Sequence, residues 1–430
     1  MTYQFSFPCY ALPAALRGGV LALGLMAAVG RAVAATGEAA AADAAAAPAW
    51  KFSGFGTLGA VHASVRNADF SSTVLRANGA GRSEAWSPDV DSRLGAQLDL
   101  SLGRWSAVLQ VVSEQNLEGN YRPRVEWANV KYQATPDLAL RVGRIALPVF
   151  LAADSRKVGY TMAWVRPPVE VYGGLPISSS DGLDATWRWG AGDTRHATQA
   201  FFGRTDTRLF DDRRVEAHGI AGLSHSIERG ALSARLSALT AHLTTGIGEE
   251  VFTAMRAFGP QGVALAERYA IEHKRVSMAS AGFSYDPGQW FLNAEAGHTH
   301  THSLLGRTTT MYAGGGYRFA SLTPYLGFAK VRAHGATRDP GLALAGLPAR
   351  ARATAAALNA GLNIYLGTIP IQTTLSTGLR WDLATNAALK LQYDRLRPTD
   401  GSRGTLINTP SSFRSGETVH VASAALDFVF

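Results

Sequence analysis

The sequence predicts an all-β chain closed into one transmembrane antiparallel β-barrel of sixteen strands, with eighteen as the alternative. Three observations predict it. Runs of alternating apolar and polar residues recur from Trp50 to the last residue. The connections between these runs switch between short and long. The chain ends His420-Val-Ala-Ser-Ala-Ala-Leu-Asp-Phe-Val-Phe430, with Phe430, Phe428, Leu426, Ala424 and Ala422 on one parity and Asp427 and Ser423 on the other. Successive side chains of a strand point to opposite faces, so that tail has one apolar face and one mixed face. A final aromatic residue suits a strand whose outer face touches lipid and whose end sits at the membrane–water boundary.

Composition agrees with this fold class. Of 430 residues, 47 % are hydrophobic, 17 % are charged and 45 are glycine, which suits neither a disordered chain nor a helical bundle. Mean hydropathy near zero excludes many membrane helices but not a barrel, which alternates lipid-facing and lumen-facing residues.

Taken in order, the chain opens with Arg17, the apolar run Gly18–Val29, and Arg31 followed by Ala32-Val33-Ala34. That pattern reads as a secretory signal peptide over residues 1–34, the apolar run being too short to cross a bilayer. Cys9, the one cysteine, lies inside it, so the exported chain holds no disulfide or thiol chemistry and its formal charge falls from +8 to +6. Residues 35–49 are Ala-rich and read as a flexible periplasmic tail. The rest, 50–430, is expected to be a single barrel domain.

Ser92–Leu102 is the clearest strand, with Leu94, Leu98 and Leu102 opposite Arg93, Gln97 and Asp99. A second run restarts after Gly103 and completes a hairpin. Further runs follow at Val125–Tyr132, Leu138–Arg144, Leu183–Trp189, Gln199–Thr205, Gly219–Ile227, Leu232–His242, Ala279–Tyr285, Trp290–Gly297, Thr309–Phe319 and Thr323–Val331. The last are Leu358–Leu366, Ile371–Trp381, Leu389–Tyr393 and the terminal strand; Phe52–Val65 opens the series. Runs of about 9–11 residues suit a tilted membrane strand. This reading contains seventeen runs where an even number is required, and the anomaly sits at the short link 367–370. Short links at one end are read as periplasmic turns, and long links at the other as extracellular loops. Trp50, Phe52, Trp105, Trp127, Trp187, Trp189, Trp290, Phe319, Trp381, Tyr393 and Phe430, near strand ends, are expected to form aromatic girdles.

Together these features resemble the Gram-negative outer-membrane porin superfamily over nearly all of 50–430. The more specific pieces are Phe52-Ser-Gly-Phe-Gly-Thr-Leu-Gly59, Leu140-Arg-Val-Gly-Arg-Ile-Ala-Leu-Pro148, Leu379-Arg-Trp-Asp382, Ala388-Leu-Lys-Leu-Gln-Tyr-Asp394 and the terminal Phe. Val142–Pro148 is similar to phosphate-selective-type porins, although no dense Lys/Arg ladder accompanies it. The resemblance implies a cell outer-membrane location and passive diffusion of small hydrophilic solutes through a water-filled channel. It also implies outer-membrane lipid, lipopolysaccharide and the barrel-assembly machinery as partners, with Phe428 and Phe430 as the assembly signal. A homotrimer and a monomer both remain open.

The polar parity places Arg93, Lys131, Arg141, Arg188, Arg235, Arg318, Arg380 and Lys390 in the lumen, with Asp99, Asp184, Glu295, Asp382, Asp394 and Asp427. Basic residues lead slightly, which points to a weak preference for anions; structural pairing of Arg with Asp is the plainer alternative. The long connection 146–181 is expected to fold into the lumen as a constriction, because the loop in this position does so in general porins. It carries Asp154, Arg156, Lys157, Arg166 and Glu170 among four prolines.

Other motifs weigh less. Gly54-Phe-Gly-Thr-Leu-Gly59 matches the dinucleotide-binding string but sits in a strand, without the strand–turn–helix context that chemistry needs. His298, His300 and His302 are weak candidates for a transition-metal site. No nucleophile–base pair emerges, so no catalysis and no cofactor are expected. The alternatives are a barrel enzyme, for which Ser224, His225 and His218 are the sole candidates, or an adhesion or receptor barrel with an occluded lumen. The positive charge is spread along the strands, so nucleic acid is not implied.

Overall fold

In the structure, a computed structural model, residues 47–208 and 213–430 are described. The expected signal peptide, and the tail as far as residue 46, lie outside the described residues. Ala49, expected to end the tail, already belongs to the first strand, where it pairs with Ser101.

Sixteen long strands form the wall. They are β1 (Ala49–Ala63), β2 (Arg93–Leu102), β3 (Trp105–Glu114), β4 (Arg124–Gln133), β5 (Leu138–Ala146), β6 (Ser179–Ala191), β7 (Thr194–Arg208) and β8 (Arg214–Arg229). The second half comprises β9 (Leu232–Thr245), β10 (Lys274–Tyr285), β11 (Trp290–Thr301), β12 (Thr308–Tyr317), β13 (Leu322–Ala333), β14 (Gln372–Ala384), β15 (Ala387–Pro398) and β16 (Val419–Val429). Each pairs antiparallel with its neighbours in sequence, and β1 pairs with β16, so no edge is left unpaired. No helix among the described residues is long and apolar enough to cross a membrane.

The anomaly in the strand count has a physical cause. Residues 358–366 alternate like a strand but lie in a helix, α4 (Ala349–Leu366), inside the long link 334–371. Its buried residues Ala355, Leu362 and Leu366 follow helical spacing. Asn359 and Asn363, four apart, bond the backbone of Leu342 and Asp339 at 2.7–2.9 Å. The link 367–370 is short because it joins α4 to β14, not two strands.

The barrel closes on a packed seam. Gly54 N–H donates to Phe430 O (2.8 Å) and Phe430 N–H to Gly54 O (3.0 Å), so Phe430 meets Gly54, while Trp50 pairs with Leu100 of β2. The ring of Phe430 covers Gly54 and that of Phe428 covers Gly56. A Cβ on either glycine would fall 2.2 Å or 2.3 Å from a ring carbon. The first two glycines of the dinucleotide-like string are thus the floor on which the terminal aromatics rest, while the third, Gly59, lies against Asp91.

Alternation separates the two faces of the wall. Leu94, Leu98 and Leu102 on β2, Leu140 and Val142 on β5, Leu183 and Trp187 on β6, and Leu391 and Tyr393 on β15 are exposed on the outer face. Large aromatics gather where the links are short, including Trp50, Trp105, Trp189, Trp290, Phe319 and Trp381. Trp127 departs from this girdle. Trp127 shares the inner parity of Asn129 and Lys131 and faces buried Gln110; the register shift beyond it, with Glu126 as the extra residue, returns Val125 to the outer face opposite Val111.

The long links carry their own structure. Two-residue strands Asp69–Phe70 and Ala80–Gly81 pair within link 64–92, and reciprocal backbone bonds of 2.9 Å join Asp69 to Ile407 of link 399–418. Helices α2 (Glu249–Arg256), α3 (Pro260–Tyr269) and α4 bury Phe252, Met255, Leu265, Leu342, Leu362 and Leu366 together as a cap over that end of the wall. Within link 147–178 lie a single α-helical turn, α1 (Val169–Tyr172), and a 3-10 turn, Gly159–Thr161.

Candidate functional site

Link 147–178 follows β5 and is held by side chains of the inner wall. Ser237 Oγ donates to Pro148 O (2.9 Å), Arg235 Nη1 to Phe150 O (2.7 Å), and Ser280 Oγ to Val149 O. The main chain of Leu151 donates to Glu295 Oε2 (3.1 Å), and so does the Tyr172 hydroxyl (3.2 Å). Farther along, Arg380 Nη1 donates to Tyr160 O (2.7 Å) and Met162 O (2.9 Å), and Lys390 Nζ to Gly159 O (2.7 Å) and Trp164 O (3.0 Å). Tyr160 OH reaches Thr385 O (2.8 Å) in the short turn between β14 and β15. The link therefore runs inside the barrel from the long-loop end to the short-turn end. Trp164 fixes its middle, edge-on to Phe291, Tyr312 and Tyr325 with ring centroids about 6 Å apart.

A buried charge cluster anchors it. The Arg166 guanidinium grips Asp91 through both oxygens (2.6 and 2.9 Å), reaches Asp394 at 3.2 Å and donates to Ser423 Oγ at 2.6 Å. Burial pushes the Asp91 carboxyl up, but the adjoining Arg166 outweighs it and holds the group below the usual carboxylate range. Glu170 is the opposite case. Burial raises it above the usual range despite hydrogen bonds from Thr374 and Gln372, the latter at 2.6 Å.

The other expected residues of the link are also engaged. Asp154 reaches Arg235 at 3.4 Å, Lys157 pairs with Glu114, and Arg156 donates to Leu175 O at 3.2 Å. Sequence reasoning missed Asp91, although it shares parity with Arg93 one step beyond the start of β2. Glu114, Gln392 and Thr57 were also missed; Thr57 donates to Asp427 at 2.5 Å.

The inner wall is unevenly covered. Gln372, Thr374, Lys390, Gln392, Asp394, Ser423 and Asp427 of β14–β16 are buried beneath the link. On β2–β6, Arg93, Gln97, Asp99, Lys131, Arg141 and Arg188 keep part of their surface free. Among the expected lumenal residues, Lys131, Arg141 and Asp184 lie side by side on β4, β5 and β6, with Arg141 Nε bonded to Asp184 Oδ2 at 2.7 Å. Arg93 donates to Asp91 O (3.2 Å), and Asp99 accepts from Gln97 (3.0 Å). Arg235, Glu295, Arg380 and Lys390 are taken up in holding the link; Lys390 also pairs with Asp427 (2.7 Å) and Arg380 with Asp382 (2.8 Å). Arg318 lies beyond the end of β12, in turn 318–321, clamped to Asp286 of the adjacent turn at 2.7–2.8 Å.

The histidine string does not converge. His300 Nε2 and His302 Nε2 are 3.3 Å apart, while His298 bonds Thr309 Oγ1 at 2.9 Å. No group of three metal-ligating side chains occurs among the described residues. Ser224 is buried against Ser237, whereas its neighbour His225 points to the other face of β8 and bonds Thr198, so the two cannot act as a pair.

Comparison with solved structures places this architecture. Salmonella typhi OmpF, solved with daunomycin, superposes with a TM-score of 0.53 at 12 % identity, over 89 % of this chain and 97 % of that one. The outer-membrane channel DcaP of Acinetobacter baumannii gives 0.53 at 11 % identity, over 89 % and 97 %. OmpT, an outer-membrane protein of Vibrio cholerae, gives 0.51 at 10 % identity, over 90 % and 98 %. The fold is that of the outer-membrane barrels. No protein-family model matches the sequence, and no curated protein sequence does either.

Proposed function

We propose that the protein is an outer-membrane porin, a water-filled passage for diffusion of small hydrophilic solutes with a weak preference for anions. The carrying observation is the uneven lining of the lumen. Link 147–178 packs onto β9–β16, whereas Arg93, Gln97, Asp99, Lys131, Arg141 and Arg188 of β2–β6 keep part of their surface free for solvent. The exposed apolar outer face has no stable place in water, and a bilayer supplies the medium it needs. Residues 1–34 then act as the export signal. The charges on the uncovered side include Arg93, Lys131, Arg141 and Arg188 against Asp99 and an Asp184 already bonded to Arg141, which favours anions in a narrow pore. A threefold assembly fits the exposed apolar face as well.

Liposome swelling with sugars and small organic anions tests diffusion, and single-channel reversal potentials in a salt gradient test selectivity. Swelling with neutral sugars and a modest anion-directed reversal are expected; a clear cation preference overturns the anion reading. A receptor barrel with a blocked lumen is the second reading, favoured by the depth to which the link descends. It predicts no conductance.

A further inference from the structure

A cavity of about 280 Å³ opens outside the lumen, at the long-loop end of β11, β12 and β13, and is lined by Arg268, Tyr269, His300, His302, Arg307 and His334 together with Leu366 and Ile369. Its floor is a row across adjacent strands. His298 pairs with Thr309 and Thr299 with Thr308, so one further step sets His300 beside Arg307. His334 N–H donates to Arg307 O at 2.7 Å, which extends the row to the end of β13. Alternation fixes the face. Leu292, Met311, Leu326 and Phe328 are exposed on the outer side, and His300, Arg307 and His334 continue the same parities beyond the apolar band. Helix α3 contributes Arg268 and Tyr269 to the cavity, and Leu366 and Ile369 contribute its apolar portion.

The cavity lining contains no carboxylate among the described residues, although Arg268 shares its charge with Asp339 just outside it. Arg307 has no carboxylate within ion-pair distance among the described residues, and its recorded side-chain bond is to His334 O at 3.4 Å. The nearby acid, Asp339, is engaged by Tyr269 OH at 2.6 Å and by Arg268 at 3.5 Å. His300 Nε2 and His302 Nε2 lie 3.3 Å apart with their rings edge-on, and His334 bonds Thr309 at 2.7 Å. An Arg307 guanidinium without a carboxylate partner among the described residues opposes a metal dication but suits a tetrahedral oxyanion, which a planar guanidinium can take through two oxygens while imidazole N–H groups take others.

We propose that this rim cavity binds a phosphate monoester group, with Arg307 as its principal ligand and His300, His302 and Arg268 around it. The phosphate is either carried on a lipid headgroup of the surrounding leaflet or borne by a soluble molecule. The headgroup source rests on the membrane reading above; the soluble source does not.

The test uses the full chain, refolded in detergent, with folding checked by its heat-modifiable gel mobility. Calorimetric titration with inorganic phosphate is expected to show binding that weakens about tenfold or more in Arg307→Gln and in the His300→Ala/His302→Ala double variant. Arg332→Gln, on the same outer face but outside the cavity lining, is expected to bind like the parent. In phosphatidylcholine nanodiscs doped with phosphatidic acid, a headgroup site retains phosphatidic acid through detergent exchange. A site for soluble phosphate binds the inorganic ion without retaining the lipid. No binding in either arm, equal losses in Arg332→Gln and Arg307→Gln, or zinc binding at His300 and His302 without phosphate binding overturns the proposal. Conductance measured on the same preparation separates failure of the pore reading from failure of this one.

Discussion

At the scale of single residues, Arg166 is the point on which the inserted link depends. Truncating it to Ala leaves Asp91 and Asp394 buried without their cation, a loss on the order of 3–5 kcal/mol. Arg166→Ala is expected to melt earlier and to conduct more noisily in single-channel records; an unchanged melting temperature contradicts the anchoring role. The sign of the pH dependence follows from Asp91. Its folded pKa is depressed, so its contribution is complete above the unfolded value near ~4 and is lost as pH falls through the folded value. Acid melting of the parent against Asp91→Asn should show the two curves converging only below about pH 4. Glu170 has the reverse sign, because a raised folded pKa makes its ionisation cost stability as pH rises above about 4.3. Glu170→Gln keeps the acceptor for Gln372 and Thr374 and removes that cost. It should therefore gain stability relative to the parent between pH 4 and pH 8, and a gain that shrinks as pH rises contradicts this.

At the scale of elements, the strands were legible wherever one face is apolar and the other polar, because burial on a single side writes a period of two into the sequence. The exception is instructive. Residues 358–366 alternate Leu, Ala, Leu, Ile and Leu with Asn and Gly, yet the Ala-rich stretch from Ala349 favours a helix over any strand. The missed signal was propensity upstream of the run. Trp127 was misplaced for a different reason: it shares parity with Asn129 and Lys131, whose polarity marks the inner face, and that parity outweighs its aromatic type. The link 147–178 was visible as a long Pro-rich loop, but its partners lie hundreds of residues away and leave no local trace. Removing Gly159–Gly174 takes away the bonds to Lys390 and Arg380, and Arg166 with its grip on Asp91 and Asp394, while leaving every wall strand intact. Single-channel conductance is expected to rise, and an unchanged value in a folded variant argues that this link does not narrow the passage.

At the scale of the whole molecule, closure is concentrated where β1 meets β16. The flat contact of Phe430 on Gly54 and Phe428 on Gly56 leaves no room for a side chain on the glycines. Gly54→Val is expected to destabilise the closed barrel by about 1–3 kcal/mol. Combining it with Phe430→Ala should recover part of the loss, since the ring that clashes is gone; additive losses contradict the seam. Deleting Phe430 should lower the yield of membrane-inserted protein while sparing the conductance of what inserts. The antiparallel order and the split into short and long links could be read from the sequence because both follow from periodicity, whereas the count of sixteen also needed the even-number requirement, since alternation alone marks seventeen runs. Which lumenal charges are free could not, because that depends on where the inserted link lies.

The lopsided seat of that link divides the barrel's interior into two labours. Residues under it, such as Lys390, Asp427, Gln392 and Asp394, answer to folding, and changes there register as lost stability. In the porin reading proposed above, those on β2–β6, such as Arg93, Lys131 and Arg188, would answer to the solute stream. On that reading, a lineage of such chains could retune what it admits by rewriting five neighbouring strands, with the structural half of the wall left untouched.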